Sequence, residues 1–370
     1  MPPSNSIPTS QRAGQFTTAP STKVAQVAPV PTIPKSGIYT FIRVLSSSLN
    51  PVDYKIASLP QPLPRLIIGS APITPGIDFA GRVWQTNHPD LKAGDLCWGK
   101  HNGPLKHGTC ADYTLHTGKD GIAKVPAGYL PLLDRGRTLE ELGAVGVAGL
   151  TALQALMAGD LPYNRSHGAE TGGKVFVNGA SGGTGTFTVQ MAKHGFGCDT
   201  VLVSCSGSNA ELVKSLGADE VIDYRSTNVV DALKEWSHKN GGQKLDLIID
   251  NVGHDPNLYW QAHHYLKSDG GKLVQVGAGA SVNDVLNVTK IMLWPSLLGG
   301  GKRKYLLFML TSTTKEQWDL IGKWMVEGKL RTVIEDDNVF DLADIDKAFE
   351  KLRTGRTRGK IVVKIAEDGQ

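Results

Sequence analysis

The segment Lys174–Gly195, KVFVNGASGGTGTFTVQMAKHG, narrows the possible folds of this chain more than any other stretch. Val175 to Asn178 is a short apolar run of the kind that forms a buried strand, glycines at 179, 182, 183 and 185 follow, and a helical pattern runs from about Thr184 to Gly195. The same rhythm continues through TVLVSCS, ELVKSLG, EVIDY, VVDALKEWSHK, LDLIIDNV, a further helical stretch and KLVQVGA. Continuous apolar strands alternating with helices predict a parallel, doubly wound sheet.

The glycine loop carries chemistry as well as geometry. Ala180, Gly182 and Gly185 occupy the first, third and sixth positions of a G-x-G-x-x-G pattern, with Ser181, Gly183 and Thr184 between them. Small residues at a strand-to-helix turn let the backbone approach a pyrophosphate, whose charge then faces the helix N-terminus. The bland alternative is that the glycines only permit a tight turn. The second strand ends in Ser206, Gly207, Ser208 and Asn209, with Tyr224 and Arg225 at the end of the third. No carboxylate in that loop repels a 2′-phosphate, so the expected cofactor is NADPH. Ser206 and Ser208 are equally suited to capping the helix that follows.

The first part of the chain has a different texture. GIYTFIRVL, Gly76 to Val83, Asp95 to Trp98 and Cys110 to Leu115 are short apolar stretches broken by Gly, Pro and Asn, as in a β barrel or sandwich. LEELGAVGVAGLTALQALM reads as one helix leading into the second domain, and residues 316 to 328 and IDKAFEKLRTG as two more before a final strand, KIVVKI. A length of 370 residues suits two domains. A net charge of +4, with basic and acidic residues interspersed, gives no reason to expect a nucleic-acid partner. Cys97, Cys110, Cys198 and Cys205 form no CxxC pair, which argues against disulfides and structural zinc. No run of about 18 apolar residues exists, so no membrane span is expected. The first 52 residues lack Asp and Glu, as transit peptides do, yet QFTTAP reads as a first strand, and a cytoplasmic location is expected.

In combination, NPVDYK at 50 to 55, PGIDFAG at 75 to 81, AGD at 93 to 95, VAGLTALQAL at 147 to 156, NGASGGTGTFTVQMAK at 178 to 193, SLGADEVIDY at 215 to 224 and RGKIVVKI at 358 to 365 resemble the medium-chain dehydrogenase/reductase superfamily. The likeness is to its quinone oxidoreductase-like branch and to the fungal proteins called zinc-type alcohol dehydrogenase-like, and it covers nearly the whole chain. The resemblance implies an α/β fold: a GroES-like β-rich catalytic domain plus a Rossmann doubly wound parallel sheet. The expected division is residues 1–149 for the first part of the catalytic domain, 150–305 for the NADP-binding domain and 306–370 for a C-terminal segment returning to the catalytic domain.

Zinc-dependent relatives carry Gly-His-Glu where this chain has Gly76-Ile77-Asp78, and a cysteine near Asn50 to Asp53, where none stands; the four-cysteine lobe is absent too. No metal is therefore expected. The family further implies Asn50 and Asp53 near the nicotinamide, Thr151 beneath it, and Asn251, Val252 and Gly253 with Val276, Gly277 and Ala278 along the ring. Catalytic candidates are Asp53, Tyr54 and Lys55, although relatives place a tyrosine one position beyond Tyr54. The expected activity is a zinc-independent, NADPH-dependent reduction of an α,β-unsaturated carbonyl or a quinone, in a protein pairing as a homodimer. Two alternatives stay open: an enoyl reductase or dehydrogenase dedicated to a fungal secondary-metabolite pathway, and an NADPH-binding structural or regulatory protein without turnover.

Overall fold

A computed structural model describes residues 7–18, 21–56, 66, 72–102, 107–136, 138–161, 172–277, 282–294, 298 and 300–368. Two compact units emerge, one formed by Met1–Leu150 with Thr311–Gln370 and the other by Thr151–Leu310.

The second unit holds six parallel strands in the spatial order Glu220–Asp223, Thr200–Cys205, Lys174–Asn178, Leu247–Asp250, Lys272–Gln275 and Lys304–Leu307. Numbered along the chain this is 3-2-1-4-5-6, the Rossmann order, and the direction of winding reverses between Lys174–Asn178 and Leu247–Asp250. The sequence division at residue 305 falls inside the last strand, which pairs with Lys272–Gln275. Helix Gly183–Gln190 follows the glycine loop and is buried from Gly185 to Gln190. Its polar side chains turn back onto their own helix: Thr186 and Thr188 hydroxyls donate to the Gly183 and Thr184 carbonyls, and Gln190 Nε2 donates to the Thr186 carbonyl. That pattern lets a Thr-rich segment sit against an apolar sheet without unpaired groups. Its last turn, Met191–Gly195, widens into a π-helix.

In the first unit, Ile334–Asp341, Lys360–Lys364, Tyr39–Leu49, Asp78–Thr86, Leu96–Lys100 and Ile122–Lys124 lie side by side, and Tyr113–Thr117 pairs separately with Tyr39–Leu49. Ser10–Thr18 and Ser21–Pro29 form an additional antiparallel pair, consistent with the strand read at QFTTAP. Helix Ile345–Arg353 buries Ile345, Ala348, Phe349 and Leu352, the i, i+3, i+4, i+7 stripe of an amphipathic helix. Phe349 is fully buried, with its ring 5.1 Å from that of Phe16, and burial of one such side chain is worth roughly 1.5–3 kcal/mol. These are the GroES-like and Rossmann parts of an α/β protein.

One expectation is corrected. The segment read as a continuous helix from Leu139 is two helices, Leu139–Gly143 and Gly146–Ala158, parted at Ala144, which leaves helical geometry at φ −109°, ψ 0°. Asp78 explains where the second begins. Its carboxylate accepts the Val147 N–H at 2.6 Å, and a side chain at Gly146 would place its Cβ 2.3 Å from Asp78 Oδ1. An acceptor at a helix N-terminus satisfies an orphan donor and opposes the positive end of the dipole.

Candidate active site

In the second unit the glycine loop lies at the switch point of the sheet, where open α/β sheets bind their ligands. Gly179 has φ +74°. Gly182 ends the loop in extended conformation, and a Cβ there would meet only the Gly179 carbonyl, at 3.7 Å, so a ligand can approach its backbone. Gly185 is a different case: a Cβ would come within 2.2 Å of the Gly179 oxygen and 2.7 Å of the Ala180 Cα. Only glycine lets the helix pack this closely under the strand. Gly183 and Thr184 open the helix, where backbone N–H groups have no intrahelical acceptor, so these residues fit a pyrophosphate. Ala180 is fully buried and donates its N–H to the Ser204 carbonyl, and the Ser181 hydroxyl accepts from Asn209 Nδ2 at 3.0 Å.

Ser206 and Ser208 stand with their hydroxyl oxygens 3.0 Å apart, Ser206 buried and Ser208 exposed; neither makes a side-chain cap on the short helix that follows. Tyr224 and Arg225 are exposed beside them. A carboxylate is present after all, from the neighbouring strand: Asp223 packs so closely that a Cβ on Gly207 would lie 2.5 Å from its Oδ2. The sequence search for an acidic residue stopped at the end of the second strand and missed it.

At the strand ends, Asp250 Oδ1 accepts Asn178 Nδ2 (2.8 Å), Val252 N (2.9 Å) and Gly253 N (3.0 Å), and the Asp250 carbonyl accepts the Val276 and Gly277 N–H groups. Burial raises the Asp250 carboxyl from its ordinary range, against these hydrogen bonds. Asn251 Nδ2 donates to the Asn178 carbonyl at 3.1 Å. Thus Val252 and Gly253 hold the Asp250 carboxylate, Val276 and Gly277 its backbone carbonyl, and Asn251 the neighbouring Asn178 carbonyl, while Ala278 lies outside the described residues. Gln275 and Asn178 belong to the same cluster; no sequence signal singled them out.

In the first unit, Asn50 precedes the short helix Pro51–Lys55, and the Asp53 carboxylate reaches back to its N–H at 2.6 Å and to the Gly76 N–H at 3.3 Å. Asp53 lines a pocket with Val52, Ile56, Ile73, Pro75, Gly76 and Ile77. Desolvation, aided by the nearby Asp78 charge, pushes the Asp53 carboxyl up to about 7. Asn50 is buried and bridges two charges, donating Nδ2–H to Asp78 Oδ2 (2.9 Å) and accepting on Oδ1 from Lys360 Nζ (2.6 Å). Lys360 spends its other protons on the Leu49 carbonyl (3.2 Å) and Asp78 Oδ2 (3.3 Å), and Ser48 donates to Asp78 Oδ2 (2.9 Å). Both charges of the pair are sealed, Lys360 at 3% and Asp78 at 0% exposure. Sequence reasoning named Asp78 only as what replaces a glutamate, and missed Lys360.

The remaining candidates do not join this cluster. The Tyr54 ring packs on the apolar core with the Arg353 guanidinium 5.8 Å above it, and Lys55 is exposed. Thr151, buried, lies in the helix Gly146–Ala158. No group of three or more His, Cys, Asp or Glu side chains converges as metal ligands among the described residues, and no described helix is long and apolar enough to cross a membrane.

Comparison with known proteins bears on both units. A family profile described as zinc-binding dehydrogenase matches residues 216–363. The chain is 41% identical to the trans-enoyl reductase pgmF of Aspergillus terreus over 382 aligned positions covering 98% of each protein. It is 30% identical to a zinc-type alcohol dehydrogenase-like protein of Schizosaccharomyces pombe, covering 87% of this chain and 86% of that one. Among solved structures, the quinone oxidoreductase from Coxiella burnetii superposes with a TM-score of 0.76 at 25% identity, over 96% of this chain and 99% of that one. The chain therefore belongs to the medium-chain dehydrogenase/reductase superfamily, in its quinone oxidoreductase-like branch.

Proposed function

We propose that this protein is an NADPH-dependent, zinc-independent reductase of α,β-unsaturated carbonyl compounds, with an enoyl group as the preferred substrate. The observation that carries the reading is the 41% identity, across 98% of both chains, to a trans-enoyl reductase. That relationship favours the dedicated enoyl reductase over a general quinone reductase and over a binding protein without turnover.

The nicotinamide cofactor supplies the hydride. The protein's part is to hold, orient and protonate. Gly183 and Thr184 offer backbone N–H groups to the pyrophosphate, and Ser206 and Ser208 offer hydroxyls to the 2′-phosphate, with Arg225 nearby and Asp223 opposing. Asp53, half-buried on its pocket with a carboxyl pushed up to about 7, keeps a proton available near neutral pH. It is the best placed of the three candidates to protonate the α-carbon of the substrate as enolate charge develops, a role worth roughly 10²–10⁴ in rate. Tyr54 is engaged in packing, and Lys55 is exposed and does not line the Asp53 pocket.

Zinc independence is supported by chemistry at one position: the carboxylate of Asp78 is already shared among Lys360, Asn50, Ser48 and Val147, and the residue before it is isoleucine. A full equivalent of protein-bound zinc in the purified enzyme overturns that part. We further propose a cytoplasmic homodimer. Among the described residues Lys304–Leu307 is the outer strand of the parallel sheet, and Leu306 and Met309 are exposed at 40% and 77%. Sedimentation showing monomers alone at micromolar concentration removes the dimer.

The deciding experiment follows NADPH oxidation at 340 nm, a standard assay wavelength, against enoyl thioesters, short enones and quinones, with alcohols plus NADP⁺ in reverse. Turnover of the enoyl or enone class is the expected result. Alcohol oxidation as the fastest reaction, or NADPH binding with no turnover of any conjugated acceptor, overturns the assignment.

A further inference from the structure

Asn50 holds two things at once. Its backbone N–H donates to Asp53 Oδ2 at 2.6 Å. Its side chain joins the buried ion pair, Nδ2 donating to Asp78 Oδ2 at 2.9 Å and Oδ1 accepting from Lys360 Nζ at 2.6 Å. The residue is 4% exposed with its amide engaged at both ends, so its part lies in what it holds. An ammonium on one side and a carboxylate on the other leave the amide a single orientation, and the N–H that meets Asp53 is fixed along with it.

The second donor to Asp53 is keyed to the same pair. The Gly76 N–H reaches Asp53 Oδ1 at 3.3 Å, and Gly76 stands two positions before Asp78. Its φ is +97°, and a Cβ there would fall 2.6 Å from Thr109 Oγ1 and 2.8 Å from Cys110 Sγ, so its backbone is seated tightly. Thr109 Oγ1 in turn donates to the Asp78 carbonyl at 2.8 Å. Both N–H groups that Asp53 accepts are therefore held by contacts that lead back to Asp78.

We propose that Asp78 and Lys360 are positioning residues for the Asp53 carboxyl, with Asn50 as the link between them. The inference rests on the reading that Asp53 protonates the substrate. A proton reaches carbon only from a carboxyl aimed at it, and the aim of Asp53 is set by its two N–H donors. The charged and titratable groups around Asp53 are Asp78 and Lys360 on two strands, Cys110, whose thiol burial keeps neutral, and Tyr54 and Lys55 on its own helix, with Arg353 over the Tyr54 ring. Burial raises the Asp53 carboxyl and the Asn50 N–H opposes it, because that bond is made to the charged form. Loosening Asn50 therefore spoils the aim of the acid and makes it weaker.

A double-mutant cycle on the full chain, with NADPH and a trans-2-enoyl thioester, tests the link. Asn50→Ala keeps the backbone N–H and the direct contact between Lys360 and Asp78 but removes the amide that joins them to it. Its kcat is expected to fall about tenfold with KM changed by no more than about twofold. The alkaline limb of the kcat profile, near pH 7 in the wild type, should move to higher pH. In an Asp53→Asn background the same change should cost no more than about twofold in kcat. Asp78→Asn combined with Lys360→Met, which deletes the pair without stranding a charge, should show the same dependence on Asp53. Equal losses in both backgrounds, or an unmoved limb in Asn50→Ala, overturn the inference, since a disturbance of the fold acts whether or not Asp53 is present. A change in KM alone also overturns it, because Asn50 would then meet cofactor or substrate directly. If Asp53→Asn itself keeps the wild-type kcat, the proton-donor reading fails and the positioning role falls with it.

Discussion

Asp78, Lys360 and Asn50 in the GroES-like unit partner one another, whereas at the Rossmann strand ends Asn251 and Gln275 each keep an atom to spare. Both clusters are buried, and both collect residues from distant parts of the chain. The first is closed: an ammonium with three acceptors, a carboxylate with four donors, an amide used on both sides. The second leaves one acceptor and one donor unmatched among the described residues, with Gly253 and Gly277 packed against neighbouring backbone. A closed cluster determines where backbone and neighbours sit; the other keeps hydrogen-bonding capacity that the described residues do not use.

The contrast breaks first at Lys360. Lys360→Met leaves Asp78 charged, buried and short of its counter-ion, and removal of one partner from such a pair costs about 3–5 kcal/mol. Urea denaturation is expected to show that loss, with much of it restored when Asp78→Asn is added. A single variant as stable as the wild type means the cluster is not closed in the sense described.

Asp53 is next, because it touches the closed cluster yet faces a pocket. Asp53→Asn should lower kcat about 100-fold if its proton reaches substrate. The wild-type rate should fall as pH rises through about 7, and the variant should lose that limb. Stability moves the same way. A carboxyl whose folded pKa is raised binds protons more tightly when folded, so its contribution is present below about pH 4 and lost as pH climbs to about 7. Asp53→Asn is therefore expected to melt higher than the wild type at pH 8, with the difference shrinking by pH 5. A variant that melts lower at pH 8 contradicts the burial argument.

On the Rossmann side, Gly185→Ala forces a methyl toward the Gly179 oxygen and Ala180 Cα. Overpacking of this kind costs roughly 1–3 kcal/mol, and dinucleotide affinity should fall with it as the helix is pushed off the strand. Gly182→Ala, with only the Gly179 carbonyl near at 3.7 Å, should leave stability unchanged and reduce affinity alone. The smallest effect is expected from Asp223→Asn, which removes a charge beside Gly207 and should tighten NADPH over NADH by several-fold, on the order of 1 kcal/mol in a partly solvated site. No change in that ratio means the 2′-phosphate does not come near Asp223.

The two regions were also unequally legible. The strand, glycine loop and helix from Lys174 to Gly195 read directly from sequence because each step is local: an apolar run, a small-residue turn, a helical stripe. Asn251 and Gly253 came from family resemblance, and Gln275 escaped because a single amide at the end of KLVQVGA looks like the edge of a buried strand. Nothing local marks Asp78 and Lys360 as partners, since 282 residues separate them and each resembles any surface charge. The break at Ala144 was invisible for the same reason: the acceptor that starts the second helix is Asp78, far upstream. Asp223 was overlooked because the search followed one strand, while the carboxylate arrives from its neighbour.

That separation matters during synthesis. The Rossmann unit is one continuous stretch, so it can fold as it leaves the ribosome. The GroES-like unit cannot finish then, because strand Tyr39–Leu49 needs Lys360–Lys364 on its flank, and Lys360 lies 311 positions beyond Leu49. Until that segment is made, the Ser46–Leu49 half of the strand lacks its neighbour on one edge and Asp78 lacks its cation. An unpaired strand edge of this kind is open to mispairing with other nascent chains until Lys360–Lys364 is available.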